Sequence, residues 1–400
     1  MINKVLIVWV LLLCIYTGYL PAQHHEVGHT TLTFNDPGRT GGFGSGGGPG
    51  RQIQTEIYYP ADVAGTNVGV AIGEFPVVVF GHGFAMAWSA YENLWNEFVP
   101  KGYIMALPRT EGGLFPAPSH ENFGLDLAWV ANQILELNTV QTSPFFQRIA
   151  PRVAIAGHSL GGGATVLAAS GNNHIKTIVG LAPAETDPSA VAAASGVSVP
   201  ALILSGDGDA VTPPEEHHIP IYNALGSSCK YFVNIKGGAH CFYANNNINC
   251  DLGELASSGN ITIDRAEQQQ ITYDYLNLWF DNHLKGEESA RTNFLNLIGS
   301  DSRTTVIDDC EVTAVPRHAG SSQINIFPNP ASDQLIIQSE SPEIHNISLF
   351  SMDGKMVKST QVNRRNQHII SLEGLNRGVY FVKVSSGNHE VLVVSKVVVN

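Results

Sequence analysis

Charged side chains are scarce in this 400-residue chain, since Asp, Glu, Lys and Arg together make up only 14% of it. Basic residues are the scarcer kind: 22 Lys and Arg against 35 Asp and Glu give a formal net charge of -13. Nucleic acids and anionic membrane surfaces are bound through clustered Lys and Arg. The chain contains no basic run, so we expect neither of these partners.

Long apolar runs are also lacking, apart from one at the N-terminus that covers residues 5–16. Lys4 precedes this run and the triplet Pro21-Ala22-Gln23 follows it, which is the pattern of a secretory signal peptide with its cleavage site. The run is shorter than the ~20 residues that a bilayer-spanning helix needs. We therefore predict an export signal at residues 1–22, favour it over a retained anchor, and expect no stable membrane anchor in the mature protein.

Cysteine is rare as well: the chain has five, and Cys14 lies inside the predicted signal. In an exported protein the remaining cysteines suggest two disulfides, for which three pairings are possible. Cys241 with Cys250 closes a short polar loop, which leaves Cys229 with Cys310 by elimination. The sequence has no Cys-x-x-Cys pair and no His/Cys spacing typical of zinc, so we predict no metal site.

Continuous apolar runs recur along the first part of the chain, and runs of this kind are typical of strands buried on both faces of a parallel sheet. They cover residues 75–80, 152–156, 201–204 and 231–235. Helical patterns accompany them, the clearest with apolar residues three and four apart from Leu127 to Leu135 and another over residues 266–284. The alternation predicts one α/β domain over residues 23–312, with a doubly wound, mostly parallel sheet.

The last part of the chain has a different pattern. Pro316 and Gly320 lie in a polar stretch that we interpret as a linker over residues 313–322. Beyond it, short strand patterns alternate with turn residues, and Asp353-Gly354 is typical of a hairpin turn. The strand patterns cover residues 334–337, 347–350, 355–357, 379–382 and 391–394. Residues 323–400 are therefore predicted to form a small all-β sandwich.

The strongest chemical signal is Gly157-His158-Ser159-Leu160-Gly161, which follows the apolar run 152–156 and precedes a helix-compatible segment. A Gly-x-Ser-x-Gly turn between a strand and a helix is a nucleophile elbow. Its tight turn leaves no room for Cβ atoms at the two glycines, and the strain lifts the serine hydroxyl above the sheet. The alternative, a simple tight turn, is disfavoured by the flanking strand and helix, so Ser159 is the predicted nucleophile.

A serine hydroxyl needs a base and an orienting carboxylate, which follow a nucleophile elbow in the order acid, then histidine. Asp207 and Asp209 both lie in the loop after the run 201–204, and Asp209 is favoured because it lies deeper in the loop. His240 is the histidine in the loop after the run 231–235, which we take as the last strand of the sheet. We predict that Asp209 orients His240, and that Asp207 caps the loop.

An oxyanion hole requires two N–H donors aimed at the reacting carbonyl oxygen. Gly81-His82-Gly83-Phe84 follows the run 75–80 and places the Phe84 amide there, and the Leu160 amide supplies the second donor. Together these elements predict an acyl-enzyme mechanism with no cofactor. We interpret His158 as a packing residue and His218 as a surface or structural residue.

Residues 55–284 resemble the bacterial polyester hydrolases, the cutinase-like and poly(ethylene terephthalate)-degrading enzymes in the dienelactone-hydrolase-like branch of the α/β-hydrolases. The landmarks are residues 57–60 (Ile-Tyr-Tyr-Pro), 157–163, the acid loop 209–213 with 220–222, and 237–240 (Gly-Gly-Ala-His). The resemblance implies the α/β-hydrolase fold and a secreted carboxylic-ester hydrolase that acts on polyesters or small acyl esters. It also implies Ser159, Asp209 and His240 as the triad, and Phe84 with Leu160 as the oxyanion hole.

The chain departs from this family at its substrate-contacting positions. The relatives usually carry a Trp after an Ala-Pro pair, whereas this chain has Ala182-Pro183-Ala184. We predict that Phe84, Ala184 and Trp88 contact the substrate and that aliphatic esters are preferred. Two alternatives on the same fold stay open, a serine peptidase and a non-catalytic surface-binding protein.

Residues 323–400 resemble the type A sorting domain of the type IX secretion system. The landmarks are residues 326–331 (Ile-Phe-Pro-Asn-Pro-Ala), 349–355, 375–380 and the tail 396–400. The resemblance implies that the type IX secretion machinery is a partner and that the protein is extracellular or at the cell surface. A carbohydrate-binding sandwich is the alternative for this unit.

Overall fold

The computed structural model of the protein describes residues 24–257, 259–310, 324–339, 344–351, 355–362, 367–385 and 391–400. The chain divides into two compact units after Cys310, here called the N-terminal and C-terminal units. The predicted signal (1–22), the predicted linker (313–322) and the Asp353-Gly354 turn lie outside the described residues.

Eleven strands form one sheet within the described part of the N-terminal unit. They are β1 (Glu26–Asp36), β2 (Gly42–Phe43), β3 (Arg51–Ala61), β4 (Gly65–Thr66), β5 (Phe75–Gly81), β6 (Ile104–Pro108), β7 (Ile149–His158), β8 (Thr177–Leu181), β9 (Ala201–Gly206), β10 (Cys229–Ile235) and β11 (Thr304–Cys310). The strands β5 to β10 pair in parallel, and β1, β3 and β11 pair antiparallel with their main neighbours. The predicted mostly parallel α/β sheet is confirmed.

The strand order explains where the site forms. Along the sheet the central order is β10-β9-β8-β7-β5-β6, so the chain builds outward in one direction from β5 to β6 and in the other from β7 to β10. The change of direction between β5 and β7 is a topological switch point, where the loops at the carboxyl ends of the strands diverge and leave a crevice. Gly81 and Gly157, at the ends of these two strands, are register partners.

Helices accompany the sheet. They are α1 (Glu92–Phe98), α2 (His120–Glu136), α3 (Leu160–Ala169), α4 (Ala190–Ala194), α5 (His218–Ala224), α6 (Ile248–Ser257), α7 (Arg265–Phe280) and α8 (Glu288–Ser300). Side-chain caps define the starts of α2, α4 and α7, where Ser119 accepts from the Asn122 amide, Ser189 from the Ala192 amide and Asp264 from the Glu267 amide. The sheet is buried on both faces: along β5, Val77 belongs to one hydrophobic layer and Val78 to the other.

The sequence prediction was wrong about the end of the sheet. β10 is not the last strand, because β11 pairs antiparallel with it from Cys229↔Cys310 to Ile235↔Thr304. Only part of β11 is buried, so its sequence lacks the continuous apolar run that marks the inner strands. The pairing brings Cys229 and Cys310 together in one disulfide, and Cys241 forms the other with Cys250.

The C-terminal unit contains two antiparallel sheets in its described part. Their strands are β12 (Ile324–Phe327), β13 (Gln334–Ser339), β14 (Asn346–Ser351), β15 (Met356–Gln361), β16 (Gln367–Ser371), β17 (Gly378–Ser385) and β18 (Val391–Val399). One sheet has the order β12-β13-β16 and the other β15-β14-β17-β18. Leu335, Leu349 and Val382 are fully buried in a core of their own. The predicted all-β unit is confirmed.

Candidate active site

The turn between β7 and α3 holds Ser159 in a strained backbone conformation, with φ 57° and ψ −121°. A Cβ atom on Gly157 would lie 2.2 Å from the carbonyl oxygen of Gly161, and one on Gly161 would lie 2.1 Å from that of Gly81. Only glycine fits at both positions, because the backbone of the turn itself crowds Gly157 and the end of β5 crowds Gly161. The geometry is that of a nucleophile elbow, with the strain concentrated at the residue that presents its hydroxyl.

The three residues predicted as a triad are joined by hydrogen bonds. The Ser159 hydroxyl lies 2.9 Å from Nε2 of His240, and Nδ1 of the same ring lies 2.7 Å from Oδ2 of Asp209. All three are buried, His240 to 2% exposure. Asp207 does not reach the imidazole: its Oδ1 accepts from the Gly237 amide at 2.5 Å and so ties two loops together.

The Asp209 carboxylate is fixed by its own loop. Oδ1 accepts from the amides of Val211 and Thr212 at 2.9 and 2.8 Å, and Oδ2 accepts from the Thr212 hydroxyl at 3.0 Å. Burial alone raises the pKa of Asp209, but the neighbouring His240 and the hydrogen bonds that the carboxylate accepts hold this pKa below its ordinary value. The carboxylate therefore stays ionised next to the imidazole.

His218, interpreted from the sequence as a surface or structural residue, is structural and fully buried. Its Nε2 lies 3.0 Å from the Thr212 hydroxyl and its Nδ1 lies 2.8 Å from the Ser205 hydroxyl. Burial lowers the pKa of His218 to about 3, so the ring is neutral. Thr212 thus receives one hydrogen bond from His218 and donates one to Asp209, which ties the acid loop to β9 and α5.

His158 is likewise buried, and it connects the three loops of the site. Its Nδ1 lies 2.8 Å from the Tyr91 hydroxyl, which accepts from the Gly83 amide at 2.8 Å. Its Nε2 lies 2.9 Å from the carbonyl oxygen of His240. Burial, with His240 close by, lowers the pKa of His158 well below its ordinary value. The neutral ring can therefore accept from the tyrosine and donate to the carbonyl at the same time.

The two amides predicted as the oxyanion hole lie on the loops after β5 and β7, on either side of the switch point. Neither the Phe84 amide nor the Leu160 amide donates to any residue that the structure describes. Donors left without a protein acceptor at the mouth of a site are suited to an incoming oxygen. The Phe84 side chain is 48% exposed, so its ring is accessible to a substrate.

The remaining predicted contact residues differ in position. The Ala184 amide donates to the carbonyl oxygen of Ser159 at 2.9 Å, which places this half-buried residue at the nucleophile. Trp88 lies in a neighbouring cavity of about 390 Å³, whose lining includes His82 and Met86 but none of Ser159, Asp209 and His240. Its indole N–H donates to Tyr58, and the Arg109 guanidinium covers its ring at 4.2 Å. The Trp88 ring is therefore already engaged by contacts with other residues of the protein.

Exposed apolar side chains lie on a helix next to the loop that carries Phe84. On α6, Ile248, Leu252 and Leu255 are 74%, 59% and 79% exposed, and their spacing of four and three residues places them on one helix face. The side-chain amide of Asn249 donates to the carbonyl oxygen of Ala85 at 2.7 Å. This bond joins α6 to the loop that carries Phe84. We call Phe84 and these three α6 side chains the apolar rim.

The described residues contain no cluster of three or more His, Cys, Asp or Glu side chains arranged to hold a metal ion. No helix in the described part of the chain is long and apolar enough to cross a membrane.

Comparison with known proteins identifies the family to which the N-terminal unit is similar. The model of the PET hydrolase-like family matches residues 27–261, more than half of the chain. The chain belongs to the PET hydrolase-like family. A second family model, the secretion system C-terminal sorting domain, matches residues 325–400 of this PET hydrolase-like chain, and the protein is secreted.

Curated relatives of this PET hydrolase-like chain match parts of it. Cutinase 1 of Thermobifida cellulosilytica is 37% identical over 22% of this chain and 33% of its own length. A cutinase of Thermobifida fusca is 37% identical over 22% of this chain and 29% of its own. Bis(hydroxyethyl) terephthalate hydrolase of Streptomyces coelicolor is 27% identical over 50% of this chain and 56% of its own. The chain thus spans between about a third and just over half of these relatives.

Proposed function

We propose that this secreted protein is a serine carboxylic-ester hydrolase that works through an acyl-enzyme. The observation that carries the proposal is the unbroken line of hydrogen bonds from Ser159 through His240 to Asp209. It lies at the switch point of the sheet, where ligands bind in open α/β folds. The names of the curated relatives, cutinases and a terephthalate ester hydrolase, support an ester as the substrate.

The geometry suits each step of acyl transfer. His240 Nε2 takes the proton of Ser159 Oγ as this oxygen attacks the ester carbonyl, and Asp209 stabilises the imidazolium that forms. The amides of Phe84 and Leu160 stabilise the negative oxygen of the tetrahedral intermediate. The imidazolium then gives its proton to the leaving alcohol. Water, deprotonated by His240, attacks the acyl-enzyme, and the carboxylic acid leaves as Ser159 recovers its proton.

The apolar rim supports a polyester as one of the substrates. A water-insoluble chain meets the protein at a surface, and burying exposed apolar side chains against that surface gains roughly 25 cal/mol per Å². Phe84 and the α6 side chains supply exposed apolar surface of this kind on a loop and a helix that are in contact with each other. Small acyl esters need no surface of this kind, since they reach the nucleophile from solution.

For the C-terminal unit we propose the type IX secretion machinery as its partner. The matching sorting-domain model and the separate core of this unit support the assignment. In a host that has this machinery, full-length protein should reach the medium and a chain ending at residue 310 should stay inside. Equal export of both would contradict the assignment.

Matched substrates test the reaction type. We expect purified protein to hydrolyse nitrophenyl esters of short and medium acyl chains and to release soluble products from an aliphatic polyester film. The corresponding nitroanilides, which differ only in the amide bond, should react far more slowly. Faster cleavage of the anilides would assign the site to a peptidase, and no turnover of any substrate would make the protein a surface-binding one.

A further inference from the structure

The helix α6 is fastened to the loop that carries His240. Cys250, in its first turn, forms a disulfide with Cys241, the residue next to His240. The Arg265 guanidinium donates to the carbonyl oxygen of Cys241 at 2.5 Å and pairs with Asp251 of α6 at 2.6 Å. The disulfide and the contacts of Arg265 therefore each hold α6 against the backbone of the loop that carries His240.

On the inner side of this helix, Glu254 faces that backbone. Its Oε1 accepts from the His240 amide at 3.1 Å, and its Oε2 accepts from the Cys241 amide at 2.6 Å. The residue is only 8% exposed. Each carboxylate oxygen thus holds one of two consecutive amides, and the first of them belongs to the base itself.

Hydrogen bonds, rather than an ion pair, hold the Glu254 carboxylate in the described part of the chain. No Lys, Arg or His side chain within the described residues forms an ion pair with it. A buried carboxylate is costly unless hydrogen bonds or opposite charges offset the loss of water. Burial raises the pKa of Glu254 above its ordinary value, and the two amides and the nearby His240 reduce that rise. Its hydrogen bonds to the base loop are therefore the main stabilisation that its charged form receives.

We propose that Glu254 is a positioning residue for the reaction: it holds the backbone of His240 so that the imidazole keeps its bonds to Ser159 and Asp209. The inference rests on the proposed function. A second effect follows from its charge, since a negative group beside His240 stabilises the imidazolium that forms during acyl transfer. Misplacing a reacting group by about 1 Å can cost on the order of 10²-fold in rate, so fixing this backbone matters to turnover.

The test replaces Glu254 by Gln, which keeps the shape but accepts from only one of the two amides. We expect kcat for a soluble nitrophenyl ester to fall about tenfold, because one buried N–H is left unsatisfied, with KM changed less than about twofold. The acid-side midpoint of the pH profile of kcat/KM should move to lower pH, because a negative charge next to the imidazolium is lost. Other titratable groups around this ring, Asp209, His158 and His218, are unchanged in the variant.

Two further variants separate position from charge. Glu254→Asp keeps the negative charge but shortens the side chain, so kcat should fall while the midpoint of the pH profile stays where it is. This variant also tests the positioning role if Glu254→Gln does not fold. Glu215→Gln is the matched control: Glu215 is exposed between the acid loop and α5, its side chain has no hydrogen-bond partner among the described residues, and the substitution removes the same charge. Its kinetics should match wild type.

The outcomes distinguish the two claims. Suppose that wild type hydrolyses esters, and that Glu254→Gln has the same kcat and the same pH midpoint as wild type and Glu215→Gln. The positioning role is then wrong, while the proposed function stands. If Glu254→Gln loses thermal stability but keeps kcat and the midpoint at a temperature where it is folded, its role is structural only. If wild type itself has no esterase activity, it is the proposed function that fails.

Discussion

The side of the site that carries Asp209 and His240 is closed, whereas the side that carries Phe84 and Ala184 is open. Asp209 and His240 are 4% and 2% exposed, and Phe84 is 48% exposed. Charges held at fixed distances act strongly only where water is excluded. A long substrate, in contrast, can reach the nucleophile only from an open side. The difference suggests that chemistry and recognition depend on separate sets of residues, which can be changed independently.

Hydrogen bonding differs between the two sides in the same way. On the closed side, Ser205, His218, Thr212 and Asp209 form one connected network of buried side chains. On the open side, the Phe84 and Leu160 amides have no acceptor among the described residues, and Ala184 presents only a methyl group. A connected buried network is sensitive to the loss of one member. A small, half-buried side chain outside any such network is less sensitive, so substitutions on the two sides should have different consequences.

The larger of the two expected effects is on the closed side and appears as a pH dependence of stability. Folded His218 has a pKa of about 3 against an ordinary value of 6.5, so between these values the unfolded chain binds more protons. Its contribution to stability is complete above about pH 6.5 and is lost as the pH falls toward 3. The glutamine in His218→Gln cannot titrate. We therefore expect this variant to have a lower free energy of unfolding than wild type at pH 8, and to lose less of it than wild type does between pH 6.5 and 4.

Urea unfolding followed by tryptophan fluorescence measures this effect. Every Trp beyond the predicted signal lies in the N-terminal unit, so the signal reports that unit alone: Trp88, Trp95, Trp129 and Trp279. His174→Gln, at an exposed position, serves as the control and should keep the wild-type slope. If His218→Gln loses stability on acidification as steeply as wild type, His218 is not the buried neutral group described here.

A smaller effect is expected on the open side. Wild type should prefer an aliphatic polyester film over an aromatic one, because Ala184 offers no ring opposite Phe84. An aromatic unit held between two ring faces gains roughly 0.5 to 1.5 kcal/mol beyond its buried area, so Ala184→Trp should raise aromatic-film turnover by up to about tenfold. Soluble product released from both films gives the measurement.

Hydrolysis of nitrophenyl acetate is the control for this substitution, because so small an ester does not use the platform and its rate should stay near that of wild type. A wild-type preference for the aromatic film, or no gain in Ala184→Trp, would contradict this view of the open side. Trp88 and Tyr91 are poor substitutes as platforms: Arg109 covers the ring of Trp88, and Tyr91 is fully buried.

The features of this protein that depend on short stretches of sequence could be predicted from the sequence alone. The elbow at Ser159 was predictable because the close approach of Gly157 and Gly161 to neighbouring backbone admits only glycine. The inner strands were predictable because burial on both faces demands continuous apolar residues. The sheet and the all-β unit are accordingly confirmed, and the roles of Ser159, Asp209 and His240 remain proposals that the geometry supports.

What escaped prediction depends on contacts between residues distant in the chain. Glu254 lies in a helix with no motif, and only the fold brings its carboxylate to the His240 amide. β11 is an edge strand with exposed positions, so it has no apolar run to mark it. Thr212 left a weak signal, since an Asp followed three residues later by Thr is typical of a side-chain-capped turn, as Asp209 and Thr212 form here.

The most direct test of the account is covalent labelling of the nucleophile. A fluorophosphonate probe should form an adduct that peptide mapping locates at Ser159, and Ser159→Ala should take up no label while folding as wild type does. The same variant should lower turnover by on the order of 10⁴. An adduct on another serine, or a Ser159→Ala protein that still takes up label or keeps most of its esterase rate, would contradict the central claim.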